Sequence, residues 1–569
     1  MTPTPYQRFL RLLKVDKQEI FSIYIYALFN GLISLSLPLG IQAIINLIGG
    51  GQTSTAWIVL VIFVIAGIAI GGVMQIMQLS ITENLQQKIF TRSAFEFAYR
   101  IPRLQLDKLD RVYIPELVNR FFDTLSVQKG LSKILMDFSS ASLLTFFGLV
   151  LLSIYHPFFI IFSILLVIIL YIIFKLTIPQ GMRTSLRESR YKYEVAHWLE
   201  ELARAMETFK LAGNSPLPLS RTDEVVEDYL GARKAHFRTL LMQYINLVGF
   251  KVIIAAALLV IGGLLVINQQ MNIGQFVASE IIIILVINSV EKLMLSMETI
   301  YDVLTSLEKI GSVTDLDLES EQESTHAQTF GEGLSLELND LSFKFPDSAE
   351  DIISGIDLKI PEGQKVCLTG FEGSGKSLLL QMMAGLYTNF RGAISYEGIP
   401  LASWNKPRLR SMIGDSLARE DLFRGTLAEN VSLGKTTISQ DRIQKAIEVV
   451  GLTEYVQKLP EGYDTEIFPE GKNLPRNVRL KIMLARSLTC SSRLLLLDEN
   501  FNELKNGNKQ KFIDHINSLN CTVVAVSNDP DVAKKFEKIV VMDQGKVLGE
   551  GDFESLRNKE WCNRVFQKN

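Results

Sequence analysis

Cysteine is scarce in this chain. Its four residues, Cys367, Cys490, Cys521 and Cys562, stand among 569 and show no metal-ligand spacing. This argues against a zinc module or a disulfide framework and for reduced, buried thiols in a cytosolic domain. An excess of one charge is missing as well. The 58 Lys and Arg and 61 Asp and Glu leave a net charge of −3, a balance that does not suit a nucleic-acid partner. No cleavable signal peptide is visible. The first apolar run follows a charged lead of about 19 residues and is too long for a signal core. Lys and Arg are also absent from three short connections, "GGGQTSTA", "YHP" and "NQQMNIG".

Long apolar runs, by contrast, are plentiful up to about Ser296. A membrane helix needs about 20 mostly apolar residues. Six stretches qualify, at roughly 20–48, 57–80, 138–155, 157–178, 247–268 and 276–296. A backbone in lipid must satisfy its own hydrogen bonds, so each reads as a helix. The lead carries Arg8, Arg11, Lys14 and Lys17, and the long connections 81–137 and 179–246 are rich in charge. The positive-inside rule then places both termini and both long connections in the cytoplasm. "SLRESRYKYEVAHWLEELARAMETFKLAG" has helical apolar spacing, so the spans are expected to continue into the cytoplasm as two helical hairpins. Their turns are expected near 105–116, around Pro115, and near 211–219. Such tips are placed to touch a cytoplasmic domain. Two polar residues within spans stand out, because they are costly there. Glu280 faces a central aqueous path, packs on a polar neighbour or reaches for the outer surface. Lys251, near the inner end of its span, reads as snorkelling.

From Gly331 onward the composition is that of a soluble domain. The acidic, polar stretch 315–331 reads as a linker, which divides the chain into 1–314, 315–331 and 332–569. "KVCLTG" is a short apolar strand that runs into Gly370, Phe371, Glu372, Gly373, Ser374, Gly375, Lys376 and Ser377, and Leu378 continues into a helix. This is G-x-x-x-x-G-K-[ST] in its strand–loop–helix setting. Its glycines let backbone N–H groups curl around a β-phosphate. Lys376 reaches the β- and γ-oxygens, and Ser377 can ligate magnesium. "RLLLLDEN" supplies a buried strand ending in Asp498, suited to hold magnesium through water, and Glu499, placed to polarise an attacking water. Either carboxylate could instead serve as a helix cap.

Six spans with long helical cytoplasmic loops, then one such domain, resemble a half-size ABC exporter of the type I kind. The resemblance covers nearly the whole chain. The fold it implies is an all-α membrane domain with cytoplasmic helical extensions, followed by an α/β P-loop nucleotide-binding domain. "FKFP" matches the position of an aromatic that stacks on adenine, here Phe345. "LFRGTLAENV", "MLARSLTCSSRLLLLDE" and "DQGKVLGEGDFESL" match the stretches after the glutamine loop, after the signature and at the C-terminal strand pair. "MNIGQFVAS" is similar to the branch that secretes proteins and peptides. The resemblance implies ATP and Mg2+ as ligands. It also implies a dimer, with ATP between one half's P-loop and the other half's signature, while the cytoplasmic orientation and absence of a targeting signal suit a bacterial inner membrane.

Four positions depart from the family pattern. The glutamine falls at Ala418, the aspartate after the catalytic glutamate at Lys505, and the switch histidine at Asn528. The signature falls on Leu474, Pro475, Arg476, Asn477 and Val478. Pro475 has neither hydroxyl nor N–H to offer a γ-phosphate, though it is comfortable at the first helical position. Ala418 cannot ligate through its side chain. Asn528 can hydrogen-bond a γ-phosphate but cannot carry a proton as histidine does. Arg476 could reach a phosphate itself or pair with a nearby acid such as Glu470. Each lost contact of this kind typically costs about 10²–10³ in rate. The expectation is an exporter half that binds ATP, hydrolyses it slowly and pairs with an intact half rather than a second copy. The competing reading is a nucleotide-gated, barely hydrolysing subunit of a secretion assembly. The absence of a peptidase domain before the spans gives no sign of leader processing, and the spans name no substrate.

Overall fold

The computed structural model describes residues 3–50, 55–109, 113–319, 331–346, 348, 350–417, 422–489, 492–559 and 564–566. Ala418, Cys490, Cys562 and linker residues 320–330 lie outside them. The chain divides into two units, Met1–Arg103 with Val112–Leu316, and Leu104–Arg111 with Asp317–Asn569.

The first unit is helical. Among the described residues, six helical segments are long and apolar enough to cross a membrane: Lys17–Gly49, Thr55–Arg103, Ile114–Tyr155, Pro157–Arg204, Leu217–Ile267 and Ile273–Thr314. The longest has 51 residues, which is about 76 Å at 1.5 Å per residue, against roughly 30 Å of bilayer hydrocarbon. Each apolar stretch is therefore the membrane part of a longer helix. The first is also interrupted. One helix ends at Ser34 and the next begins at Ser36, because Pro38 has no N–H to give the Ser34 carbonyl. A short π-helical turn, Ile134–Phe138, interrupts the third.

Beyond the apolar stretches, polar pairs hold the long helices together. The Thr184 hydroxyl meets His236 Nδ1 at 2.8 Å, Ser185 meets Thr305 at 2.9 Å, and Gln243 donates to the Tyr301 hydroxyl at 2.8 Å. Tyr193 donates to buried Asp123. Such groups are buried at acceptable cost because each has a partner. Lys251 differs from the sequence expectation. Instead of snorkelling, it pairs with Glu291 on the facing helix at 2.5 Å. Partial desolvation of both groups favours a direct pair over separate hydration. Glu280 is half-buried.

Among the described residues, the second unit is an α/β domain with two main sheets and a small β7-β8 pair. Its strands are β1 (Leu336–Phe343), β2 (Ile353–Ile360), β3 (Lys365–Gly370), β4 (Arg391–Tyr396), β5 (Ile399–Pro400), β6 (Ile413–Asp415), β7 (Gly425–Thr426), β8 (Glu466–Ile467), β9 (Leu494–Leu497), β10 (Thr522–Val526), β11 (Lys538–Asp543) and β12 (Lys546–Gly551). An antiparallel sheet runs β2-β1-β4-β5, and a six-stranded sheet runs β12-β11-β3-β10-β9-β6. In the larger sheet only β12 is antiparallel to its neighbour. Strands β3, β9 and β10 are buried along their whole length. This is why "KVCLTG" and "LLLL" read as unbroken apolar runs rather than alternating ones. Cys367 lies within this core, and burial pushes its thiol up to about 12. It and Cys521 are free, buried thiols.

The first hairpin's described residues Leu104–Leu109 group with this domain. Asp107 accepts from the Thr388 N–H at 3.0 Å and the Thr388 hydroxyl at 2.7 Å. Leu104 forms a β-bridge with Leu318, and Gln105 donates to the carbonyls of Asp317 and Leu318. Glu319, 9% exposed, then closes a bidentate pair with Arg410 at 2.6 and 2.7 Å. Arg410 also donates to the Gly385 carbonyl at 2.6 Å. The chain leaving the last helix is thus strapped to both the hairpin turn and the domain. Replacing Arg410 with alanine leaves Glu319 buried beside no cation. That should lower the domain's unfolding free energy by about 3 kcal/mol, read from urea denaturation. An unchanged midpoint would make the strap incidental.

Candidate nucleotide-binding site

Strand β3 delivers the phosphate loop. Gly370 ends the strand at φ 147°, and a Cβ there would lie 2.0 Å from the Met542 carbonyl oxygen on β11. Only glycine fits this close approach. Gly375 closes the loop at φ 92°, immediately before the helix Lys376–Met383. Between them Gly373, at φ 73°, has open space where a side chain would be. Glu372 is exposed, while Phe371 and Leu378 are half-buried against the two halves of the core.

The loop's polar atoms converge. Lys376 is buried, and its Nζ donates to the carbonyls of Gly370 at 3.0 Å and Phe371 at 2.9 Å. Glu499 Oε1 stands 3.7 Å away. Ser374 is fully buried, and its hydroxyl has no hydrogen-bond partner. A buried, unmade hydrogen bond is costly, and a phosphate oxygen would relieve it. The Ser377 hydroxyl donates to Asp498 Oδ1 at 3.0 Å. That pairs a hydroxyl and a carboxylate, the hard oxygen ligands a magnesium ion takes. Asp498 also accepts from the Glu499 N–H at 2.9 Å, so it caps the turn that follows as well as facing the loop. Phosphate with magnesium therefore fits this donor set. Phe345 is partly buried against the core and packs edge-on against Phe343 and Tyr387, with ring centroids 5.0 and 5.9 Å away.

Asn528 lies beside the loop. Its Oδ1 accepts from the Thr369 hydroxyl at 2.8 Å and the Gly370 N–H at 3.2 Å, and its Nδ2 donates to the Gly370 carbonyl at 3.1 Å. Sequence reasoning passed over its supports. Ser527 donates to Asn502 Oδ1 at 2.8 Å, and Asn502 Nδ2 donates to the Val526 carbonyl at 3.1 Å. Ser416 accepts from the Asp498 N–H at 3.3 Å. The only signal for Ser527 and Ser416 was a small polar residue at a strand end, "SN" or "DS", which many surface turns share, and Asn502, in the turn after β9, had none.

The stretch at the signature position splits between core and surface. Leu474 and Val478 are buried in the domain core, 8% and 4% exposed. Pro475, Arg476 and Asn477 are exposed. The helix starts at Arg476, and the Pro475 carbonyl accepts from the N–H groups of Val478 and Arg479. Pro475 thus sits one place before the helix rather than at its first position. Arg476 does pair with an acid, but not with Glu470. Its Nη2 donates to Glu503 Oε1 at 2.8 Å. Glu470 sits at φ 60° in the preceding turn and pairs with Lys472 at 3.1 Å. Lys505 is exposed just before the helix Asn506–Ser518.

Comparison with known proteins agrees with both halves of this architecture. Residues 20–290 match the ABC transporter transmembrane region, and residues 353–502 match the ABC transporter domain. The chain belongs to the ABC transporter family. Both parts are fused in one polypeptide, an integral membrane protein with six candidate spans. The transporter is similar to the transport/processing ATP-binding protein ComA of Streptococcus pneumoniae, at 28% identity over 78% of this chain and 62% of that protein. It is also similar to the lactococcin-A transport/processing ATP-binding protein LcnC of Lactococcus lactis, at 26% identity over 53% and 42%. The chain thus spans about three-fifths or less of these relatives' length. Among solved structures, a bacterial Atm1-family ABC exporter with ATP bound has the same fold. Its TM-score is 0.82 at 17% identity, covering 97% of this chain and 99% of that one.

Proposed function

We propose that the transporter is one half of an ATP-driven exporter that binds MgATP at residues Gly370–Ser377 and hydrolyses it slowly, or mainly at a site completed by a partner. The carrying observation is the contrast between its two nucleotide faces. The loop with Lys376, Ser374, Ser377 and Asp498 has the donors for a magnesium-bound triphosphate. The face with Pro475, Arg476 and Asn477 lacks the hydroxyl and glycine N–H groups that would hold a partner's γ-phosphate. Phe345 is the aromatic assigned to adenine, and Glu499 the base assigned to the attacking water.

The partner is a second ABC half with an intact signature, rather than another copy of this chain. A copy would combine every departure in each site. The second hairpin turn supports a dimer, because Leu211 and Leu219 at its tip are 89% and 80% exposed. Leucines left so open suit a covering surface. Export runs out of the cytoplasm across a bacterial inner membrane, with the nucleotide domain inside.

The test is MgATP binding and turnover by the purified transporter in lipid nanodiscs, alone and mixed with a candidate ABC half that carries an intact signature. Binding without partner, and turnover only with it, is expected. Turnover of about 1 s⁻¹ or faster by this chain alone would overturn the reading. Tight binding with no turnover in either state would favour a nucleotide-gated subunit instead.

A further inference from the structure

Where the resemblance expects a switch residue that touches a γ-phosphate, the geometry points to a different task. We propose that Asn528 is a positioning residue that staples the entry of the phosphate loop, reading the N–H and C=O of Gly370 together. This rests on the nucleotide-binding reading above.

A primary amide presents its donor and acceptor side by side. It can pair with both backbone groups of one residue, as a neighbouring strand would. An imidazole cannot, because its two nitrogens point apart. Here the amide is oriented by Thr369, whose hydroxyl donates to the same Oδ1 at 2.8 Å and so directs Nδ2 to the Gly370 carbonyl. The residue before it is held too. The Ser527 N–H donates to the Leu368 carbonyl at 3.1 Å, and its hydroxyl is tied to Asn502.

The staple matters because of Lys376. Lys376 donates to the Gly370 carbonyl, which also accepts from Asn528. A carbonyl oxygen has two lone pairs. When Lys376 turns to a phosphate, Asn528 keeps that oxygen satisfied, and Gly370 holds its place against β11. The Phe371 carbonyl keeps the Ser374 N–H at 3.3 Å, so the exchange of the lysine from loop to ligand orphans neither acceptor. The staple therefore acts on any nucleotide carrying a β-phosphate and is indifferent to the γ-phosphate.

The experiment measures binding of MgATP, MgADP and AMP to the full-length transporter in nanodiscs by displacement of a fluorescent nucleotide. Asn528→Ala should weaken MgATP and MgADP by the same factor, about tenfold, and leave AMP unchanged. Thr369→Val, which keeps its volume, should give the same pattern at about threefold. Weakening of MgATP alone would make Asn528 a γ-phosphate contact and overturn the staple. Equal loss of all three nucleotides would mean general damage and would overturn it as well, as would no change in any of them. If the unmodified transporter binds neither MgATP nor MgADP, the nucleotide reading itself fails. Normal binding that Asn528→Ala leaves untouched removes only the staple.

Discussion

MgATP affinity is expected to fall about 100-fold in Lys376→Ala, with little change in the stability of the nucleotide-free transporter. Hydrogen bonds to charged groups contribute about 1.5–3 kcal/mol, and 100-fold corresponds to about 2.7 kcal/mol. Lys376 is nine-tenths buried, so its ammonium faces little competing water. Its present partners are carbonyls of its own loop, and the Gly370 carbonyl keeps Asn528 when the lysine is lost. The fold cost is therefore small, and the loss appears in binding. Equilibrium binding together with a thermal melt separates the two. Unchanged affinity would mean that the triphosphate is held elsewhere.

A second large effect runs in the opposite direction. Grafting Ser, Gly and Gly at Pro475, Arg476 and Asn477 should raise ATP turnover of the assembled exporter about 100-fold, the scale of one restored phosphate-facing donor set. These three residues are exposed, so the graft disturbs no core contact. Arg476→Gly also releases Glu503 and costs about 1 kcal/mol in helix propensity. Extending the graft to Val478→Gln should fail. Val478 is 4% exposed within the domain core, and an unpaired buried amide there would cost about 2–3 kcal/mol. Phosphate-release assays on the three- and four-residue grafts, each with the proposed partner half, check this. No gain from the three-residue graft would show that the missing donors are not what slows the site.

That distinction illustrates how much could be read from the chain. The family pattern locates the signature at Leu474–Val478, but Val478 looks like one more lost polar group. Only packing reveals it as core. The same holds for Arg476, whose acid lies 27 residues away at Glu503 rather than nearby at Glu470. Lys251 finds Glu291 forty residues on, and Asn528 meets Gly370 across 158. The strap at Asp317–Glu319 falls in a stretch whose composition reads only as an acidic linker, yet it binds Gln105 and Arg410.

By itself the sequence determined six membrane-length helices, their continuation past the bilayer and the phosphate loop with its paired carboxylates. These follow from local causes. Apolar run length sets a span, 3.6-residue spacing sets a helix face, and glycines with lysine and serine at close intervals suffice for a phosphate cradle. The tertiary structure decided which polar groups pair, which signature positions are core and where Asn528 points. Those depend on partners brought together from distant parts of the chain, and no local pattern encodes the distance between them.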